Sequence, residues 1–166
     1  MMVLLLWFGC SEKVLETEYE HYEASSLIVL EASGMEFEET YIVRRTLNHE
    51  SSEIFEEFIS TIDGTETSVM LQVNTEDNTF VLNFSDVSYT GEGTFVGEGL
   101  DWSSWSSQSN HTDGSYVLSQ DSKEAGVISA EKEGYSTDSV LEWRLFEELL
   151  PISQEEFEET RADVVP

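Results

Sequence analysis

The side chains able to do chemistry in this 166-residue sequence are few and scattered. Cys10 is the single cysteine, which excludes an intramolecular disulfide and a zinc site built on several thiolates. His21, His49 and His111 lack the paired spacing of a zinc site, and each sits in polar or turn-like sequence as a loop histidine would. There is no G-x-S-x-G elbow and no base beside Cys10, so acyl transfer has no activated nucleophile. Gly91-Glu92-Gly93 lacks the third glycine and the following helix of a dinucleotide fingerprint. Asn74-Thr75-Glu76-Asp77-Asn78 offers oxygen ligands without the spacing or glycine of a calcium loop. Glu38-Glu39, Glu56-Glu57, Glu147-Glu148 and Glu155-Glu156 are adjacent carboxylates. Glycosidase work needs two carboxyls facing across a cleft, so these pairs read as solvated surface. The expectation is a chain with no catalytic residue, no cofactor and no metal, with a hydrolase kept only as the remotest alternative.

Two local features could bind rather than react. Trp102-Ser103-Ser104-Trp105 places aromatic rings at i and i+3, positions that point to opposite faces of a regular strand. One ring then belongs to the core, and the other lies outward or across a bulge. An outward Trp beside Tyr89 would form a stacking platform for a sugar or an apolar ligand; the competing reading packs both rings in the core. Arg44-Arg45 is the other feature. If Arg44 or Arg45 turned inward it could hold a ligand carboxylate, whereas on the sheet surface it would pair with one of the abundant acids.

Charge narrows the partners. Asp and Glu total 35 against 7 Lys and Arg, for a formal net charge of -28. That balance keeps the surface hydrated, opposes compaction by self-repulsion, and leaves no basic stripe to displace counterions from phosphates. Nucleic acid and anionic lipid surfaces are excluded as electrostatic partners, while cationic partners, divalent cations or a salty habitat remain compatible. With 39% hydrophobic and 11% aromatic residues the chain is no disordered acidic tail, and its length suits a single domain with its own core, expected to be a monomer.

Residues 1–8 read MMVLLLWF and are followed by Gly9-Cys10-Ser11-Glu12. The apolar run is too short to span a bilayer as a helix, which takes ~20 residues, yet it suits the apolar region of an export signal. A small residue before a lone cysteine, followed at once by polar chain, resembles the lipobox of bacterial lipoproteins. Trp7 and Phe8 stand where that family prefers Leu and a small residue. The resemblance implies a signal peptide over 1–9, cleavage before Cys10, and lipidation of Cys10 as a membrane anchor. It further implies a cell-envelope location on the outer membrane, with secretion as the alternative. Residues 10–24 then form an acidic tether, and 25–166 a single β-rich domain.

The elements that must position these residues are mostly strands. Residues 25–32 and 37–49 are strand-like; 52–62 fits a helical stripe as well as a strand and is assigned to a strand by its neighbours. Val69, Leu71 and Val73, a polar turn at 74–78, and Phe80, Leu82 and Phe84 predict a β-hairpin with one apolar face. Glycines 91, 93, 97 and 99 in strand-like sequence predict bulges or close packing. Residues 102–108 and 116–118, joined through Asp113-Gly114, predict a second hairpin, and 125–130 and 139–149 complete the sheet. Ser153 with Glu156 forms a capping box, and Ile152 with Phe157 a hydrophobic staple, at the start of a C-terminal helix. Seven to nine strands with short connections predict an antiparallel meander closing into a lipocalin-like barrel, or a two-sheet sandwich as the alternative. Two functions follow: a lipid-anchored module holding a small apolar ligand or a partner protein, or a structural protein with a filled core.

Overall fold

The computed structural model describes residues 17–84, 87–112, 114–135 and 141–165. Ten antiparallel strands run in chain order: β1 (Glu18–Leu30), β2 (Met35–Asn48), β3 (Glu53–Ser60), β4 (Glu66–Asn74), β5 (Thr79–Phe84), β6 (Val87–Glu98), β7 (Asp101–Asn110), β8 (Tyr116–Glu124), β9 (Val127–Tyr135) and β10 (Leu141–Pro151). Every strand pairs with its neighbours in sequence, and β10 closes on β1, from Tyr22 opposite Pro151 to Leu30 opposite Trp143. The result is a closed up-and-down barrel, not a sandwich. Closure removes both sheet edges, which would otherwise be open templates for aggregation.

Three boundaries depart from the sequence expectation. There are ten strands rather than seven to nine. The first begins at Glu18, so residues 18–24 are barrel wall and not tether: Tyr22 and Ala24 are each only 2% exposed. Polar outward residues alternate there with the inward ones, and the acidic ones masked the strand. Residues 125–130 also split differently. Ala125 and Gly126 form a two-residue turn with φ of 51° and 85°, closing the β8–β9 hairpin where Glu124 faces Val127. Two positive φ values define the primed turn that matches strand twist, but Ala is an unusual occupant of it.

Apolar side chains predominate on the inside of the wall and polar ones on the outside, the reverse of the alternation in barrels that span membranes. At one end Leu47, Ile54, Val73, Phe80, Leu100 and Trp102 fill the interior as a plug. A second cluster, Tyr22, Ala24, Val43, Ile128 and Leu149, covers the inner wall of β1, β2, β9 and β10. No helix among the described residues is long and apolar enough to cross a membrane.

One helix, α1 (Gln154–Val164), lies outside the barrel. Its capping box forms as the sequence predicts: Ser153 Oγ accepts from the Glu156 N–H, and Glu156 reaches back to the Ser153 N–H at 2.8 Å. Eleven residues make a marginal helix in isolation. Docking holds it. Phe157, 1% exposed, seats on Ile42 and Ile59 of the outer wall, with Ile152, Val164 and Val165 around them. Burying one such ring contributes roughly 1.5–3 kcal/mol.

Candidate functional site

Beyond the plug, the lumen is not filled. A cavity of about 440 Å³ lies inside the wall, within the usual size range of small-molecule sites. Its apolar lining includes Leu71, Phe80, Leu82, Phe95, Trp105 and Leu145, and Phe84, Tyr89 and Trp143 extend it toward the β5–β6 and β9–β10 end of the barrel. Ten strands enclose a wider lumen than eight, which accounts for space that the inward side chains do not occupy. A larger groove of about 1070 Å³ runs along the wall past Ser104, Ser106, Ser122, Ser129 and Phe146, and is also lined by Trp105, Asp121, Ala130 and Glu147. It is wide and open, with polar groups facing bulk water, so the enclosed lumen is the stronger site.

A bulge decides how the aromatic residues enter. The β6–β7 ladder pairs Val96 with Ser104 but Gly97 with Trp102, leaving Ser103 as an extra residue. That insertion resets the alternation. Trp102 and Trp105 therefore both point inward, with ring centroids 5.8 Å apart, and neither forms an outward platform. Trp102 belongs to the plug, 3% exposed, its Nε1–H donating to Gly99 O at 2.8 Å and its ring 4.2 Å from Phe95. Trp105 is left partly buried on the cavity wall. Tyr89 also lines the cavity, with its ring 5.2 Å from His111. Glycines make room for other rings. A Cβ on Gly91 would strike the Phe80 ring, and one on Gly134 the Trp143 indole.

The arginine pair resolves against Arg44. Strand alternation turns Arg44 to the outer wall, where it pairs with Glu57 at 2.5 Å and lies 5.8 Å from the Phe157 ring under α1. Its place is structural. Arg45 is the inward one, with its side chain 5% exposed. It donates from Nε to Glu56 at 2.7 Å and from Nη1 to Glu20 at 3.0 Å. Burial works against its charge, but Glu56 and Glu20 outweigh that and hold its pKa above the usual value. Glu20 in turn takes Lys123 at 2.5 Å; burial pushes its carboxyl up, while Lys123 and Arg45 pull it below the ordinary range.

The sequence reading missed the inward carboxylates. In register across the wall stand Phe95, Trp105, Asp121, Ala130, Glu147 and Ser26, one from each of β6, β7, β8, β9, β10 and β1. Asp121 is 8% exposed. Its Oδ2 accepts from Ser119 at 2.8 Å, and its Oδ1 is buried with no hydrogen-bond partner. Burial pushes its pKa up to about 6, against the pull of Lys132. Glu147, with its side chain 8% exposed, is pushed up to about 7 by burial even though Lys132 reaches it at 3.0 Å. In the sequence Ser119, Asp121 and Lys123 alternate with Gln120 and Ser122; both faces read as polar, so nothing marked one of them as the inside.

No histidine joins this row. His21 packs on Phe157 at 5.0 Å on the outer side, and His49 lies 3.7 Å from Glu18. Among the described residues no group of three His, Cys, Asp or Glu side chains could hold a metal ion. Cys10 lies outside the described residues.

Fold and lumen together define a closed ten-stranded barrel with a polar outer wall and a partly charged, mainly aromatic and aliphatic internal cavity. Comparison of the chain with protein-family models, with curated proteins and with solved structures finds no match.

Proposed function

We propose that this protein is a binding module that carries a small, largely apolar ligand in its barrel lumen, held at the cell envelope by lipid on Cys10. The observation that carries the first half is the cavity of about 440 Å³, walled by Trp105, Phe95, Tyr89, Leu71 and Leu82 inside a closed sheet. An apolar guest there removes area from water at roughly 25 cal/mol per Å² without the barrel having to open or reorganise. Exposed apolar residues at the same end of the barrel, Met35, Phe37, Ile62 and Phe84, suit the passage of such a guest. The second half rests on the lipobox-like run ending in Gly9-Cys10-Ser11.

N-phenyl-1-naphthylamine, an uncharged probe that brightens in apolar surroundings, tests the cavity. Saturable brightening is expected, and Leu82→Trp, which fills the lumen, should abolish it. A filled structural barrel would instead show no saturable signal. Labelling cells with an alkyne fatty acid tests the anchor: label should appear on the full chain and vanish in Cys10→Ala. Label persisting in that variant removes the anchor from the reading.

A further inference from the structure

Building on the reading of the lumen as a ligand site, we infer that the ligand carries a protonated amine, seated on Asp121 Oδ1 in the niche over Ala130 between Trp105 and Glu147. Among the described residues the charges of the lumen leave one place open, and its sign is negative. Arg45 is taken up by Glu56 and Glu20, Lys123 by Glu20 and Asp101, and Lys132 by Glu147. Among the described residues an anionic ligand meets no cation of the lumen that lacks a carboxylate. Asp121 is the converse: Ser119 satisfies Oδ2, while Oδ1 is buried and bonded to nothing. A carboxylate oxygen withdrawn from water without a donor is costly, and a charged donor on the guest restores what burial removed.

The surroundings select an ammonium group rather than a bare ion. Ala130 stands directly between Asp121 and Glu147 in the ladder, so the wall is low at that point with a carboxylate on either side. Strands are spaced ~4.8 Å apart, which puts the two acidic positions about 10 Å from each other across the niche. Trp105 is the cross-strand partner of Asp121 on β7, which puts an aromatic ring beside the carboxylate, and such rings attract cations. The apolar tail then runs along Phe95, Leu82 and Leu71.

The groups facing Asp121 set the pH response. Lys132 on β9 and Arg45 on β2 favour its ionised form, and Glu56 on β3 opposes it; β7 contributes the uncharged Trp105, and Glu147 on β10 lies beyond Ala130. Asp121 and Glu147 ionise at about 6 and about 7, whereas an alkylamine stays protonated far above that. Amine affinity therefore climbs as pH rises through that window.

Octylamine, octanol and octanoate are eight-carbon chains with a cationic, a neutral and an anionic head, and calorimetric titration of the full chain compares them. At about pH 8 octylamine should bind about tenfold or more tighter than octanol, an advantage that shrinks at about pH 5. Asp121→Asn, which keeps the shape, should erase the advantage of octylamine over octanol. Glu147→Gln should reduce it only in part. Equal binding of octylamine and octanol, a preference for octanoate, or an amine preference that survives Asp121→Asn would each overturn the assignment. So would octylamine failing to bind where N-phenyl-1-naphthylamine binds, an outcome that leaves the cavity reading intact. Failure of every probe overturns the cavity reading itself.

Discussion

Trp105 and Asp121 are direct cross-strand partners on β7 and β8, and both point into the lumen. That pairing sets an aromatic face beside a buried carboxylate, at the level where the barrel changes from a filled plug to an open cavity. The Ser103 bulge in the β6–β7 ladder brings Trp102 to the same face as Trp105. Without the extra residue, Trp102 and Trp105 would face opposite sides of the wall.

The raised pKa values of Asp121 and Glu147 make stability depend on pH in a defined direction. For each group the folded pKa, about 6 and about 7, lies above its ordinary value of 3.8 or 4.5. The folded state then holds more protons than the unfolded state, so each contribution is complete below the ordinary pKa and is lost as pH rises through the folded one. The loss amounts to roughly 3 kcal/mol per group. Asp121→Asn should accordingly be near neutral at about pH 4 and stabilising at about pH 8, measured as the difference in melting temperature from wild type. A difference that does not change with pH would contradict the buried, ionisable Asp121.

Arg45 holds two inward carboxylates. Arg45→Met should destabilise the barrel by about 3 kcal/mol, because Glu56 is left without its partner on the inner wall. Adding Glu56→Gln should recover most of that loss, since a neutral amide no longer needs the guanidinium. Urea denaturation midpoints of the single and double variants decide it. Single and double variants of equal stability would show that the pair is only a surface-like contact.

Gly134 is a bed for the Trp143 indole. Gly134→Ala places a methyl group where Trp143 Cε2 and Nε1 lie, so the ring must shift. The expected cost is about 1–3 kcal/mol, with a changed near-ultraviolet dichroism spectrum and weaker N-phenyl-1-naphthylamine binding. Retention of both spectrum and binding would mean that the ring does not rest there.

The β8–β9 turn carries an alanine in a left-handed conformation, with φ of 51° at Ala125. Ala125→Asn or Ala125→Gly should raise stability by about 0.5–1 kcal/mol, since Asn and Gly accept that conformation more readily. Thermal melts measure this directly. A drop in melting temperature for both variants would argue against a primed turn.

Several features were legible in the sequence because they depend on neighbours only a few residues away. The β4–β5 hairpin, the two-residue alternation of its apolar positions and the Ser153–Glu156 capping box all formed as expected. Strand β1 was partly hidden because Glu18, Glu20 and Glu23 made its first half look like a solvated tether, although Glu20 points inward to Arg45 and Lys123. Tyr89 and Trp105 do reach the candidate site, whereas Trp102 belongs to its floor and Arg44 to the outer wall.

By itself the sequence determined that this is an antiparallel, strongly acidic β-meander with one capped C-terminal helix, because alternation, turn chemistry and capping are local. Only the tertiary structure decided which polar residues are inside. In a strand such as β8, where Ser119, Gln120, Asp121, Ser122 and Lys123 are polar on both faces, the inner face is chosen by closure of the whole barrel, and on β7 a one-residue bulge decides that both Trp102 and Trp105 face in. A single inserted residue reverses the facing of everything beyond it. The carboxylate at Asp121, the ring at Trp105 and the niche over Ala130 meet through that long-range choice.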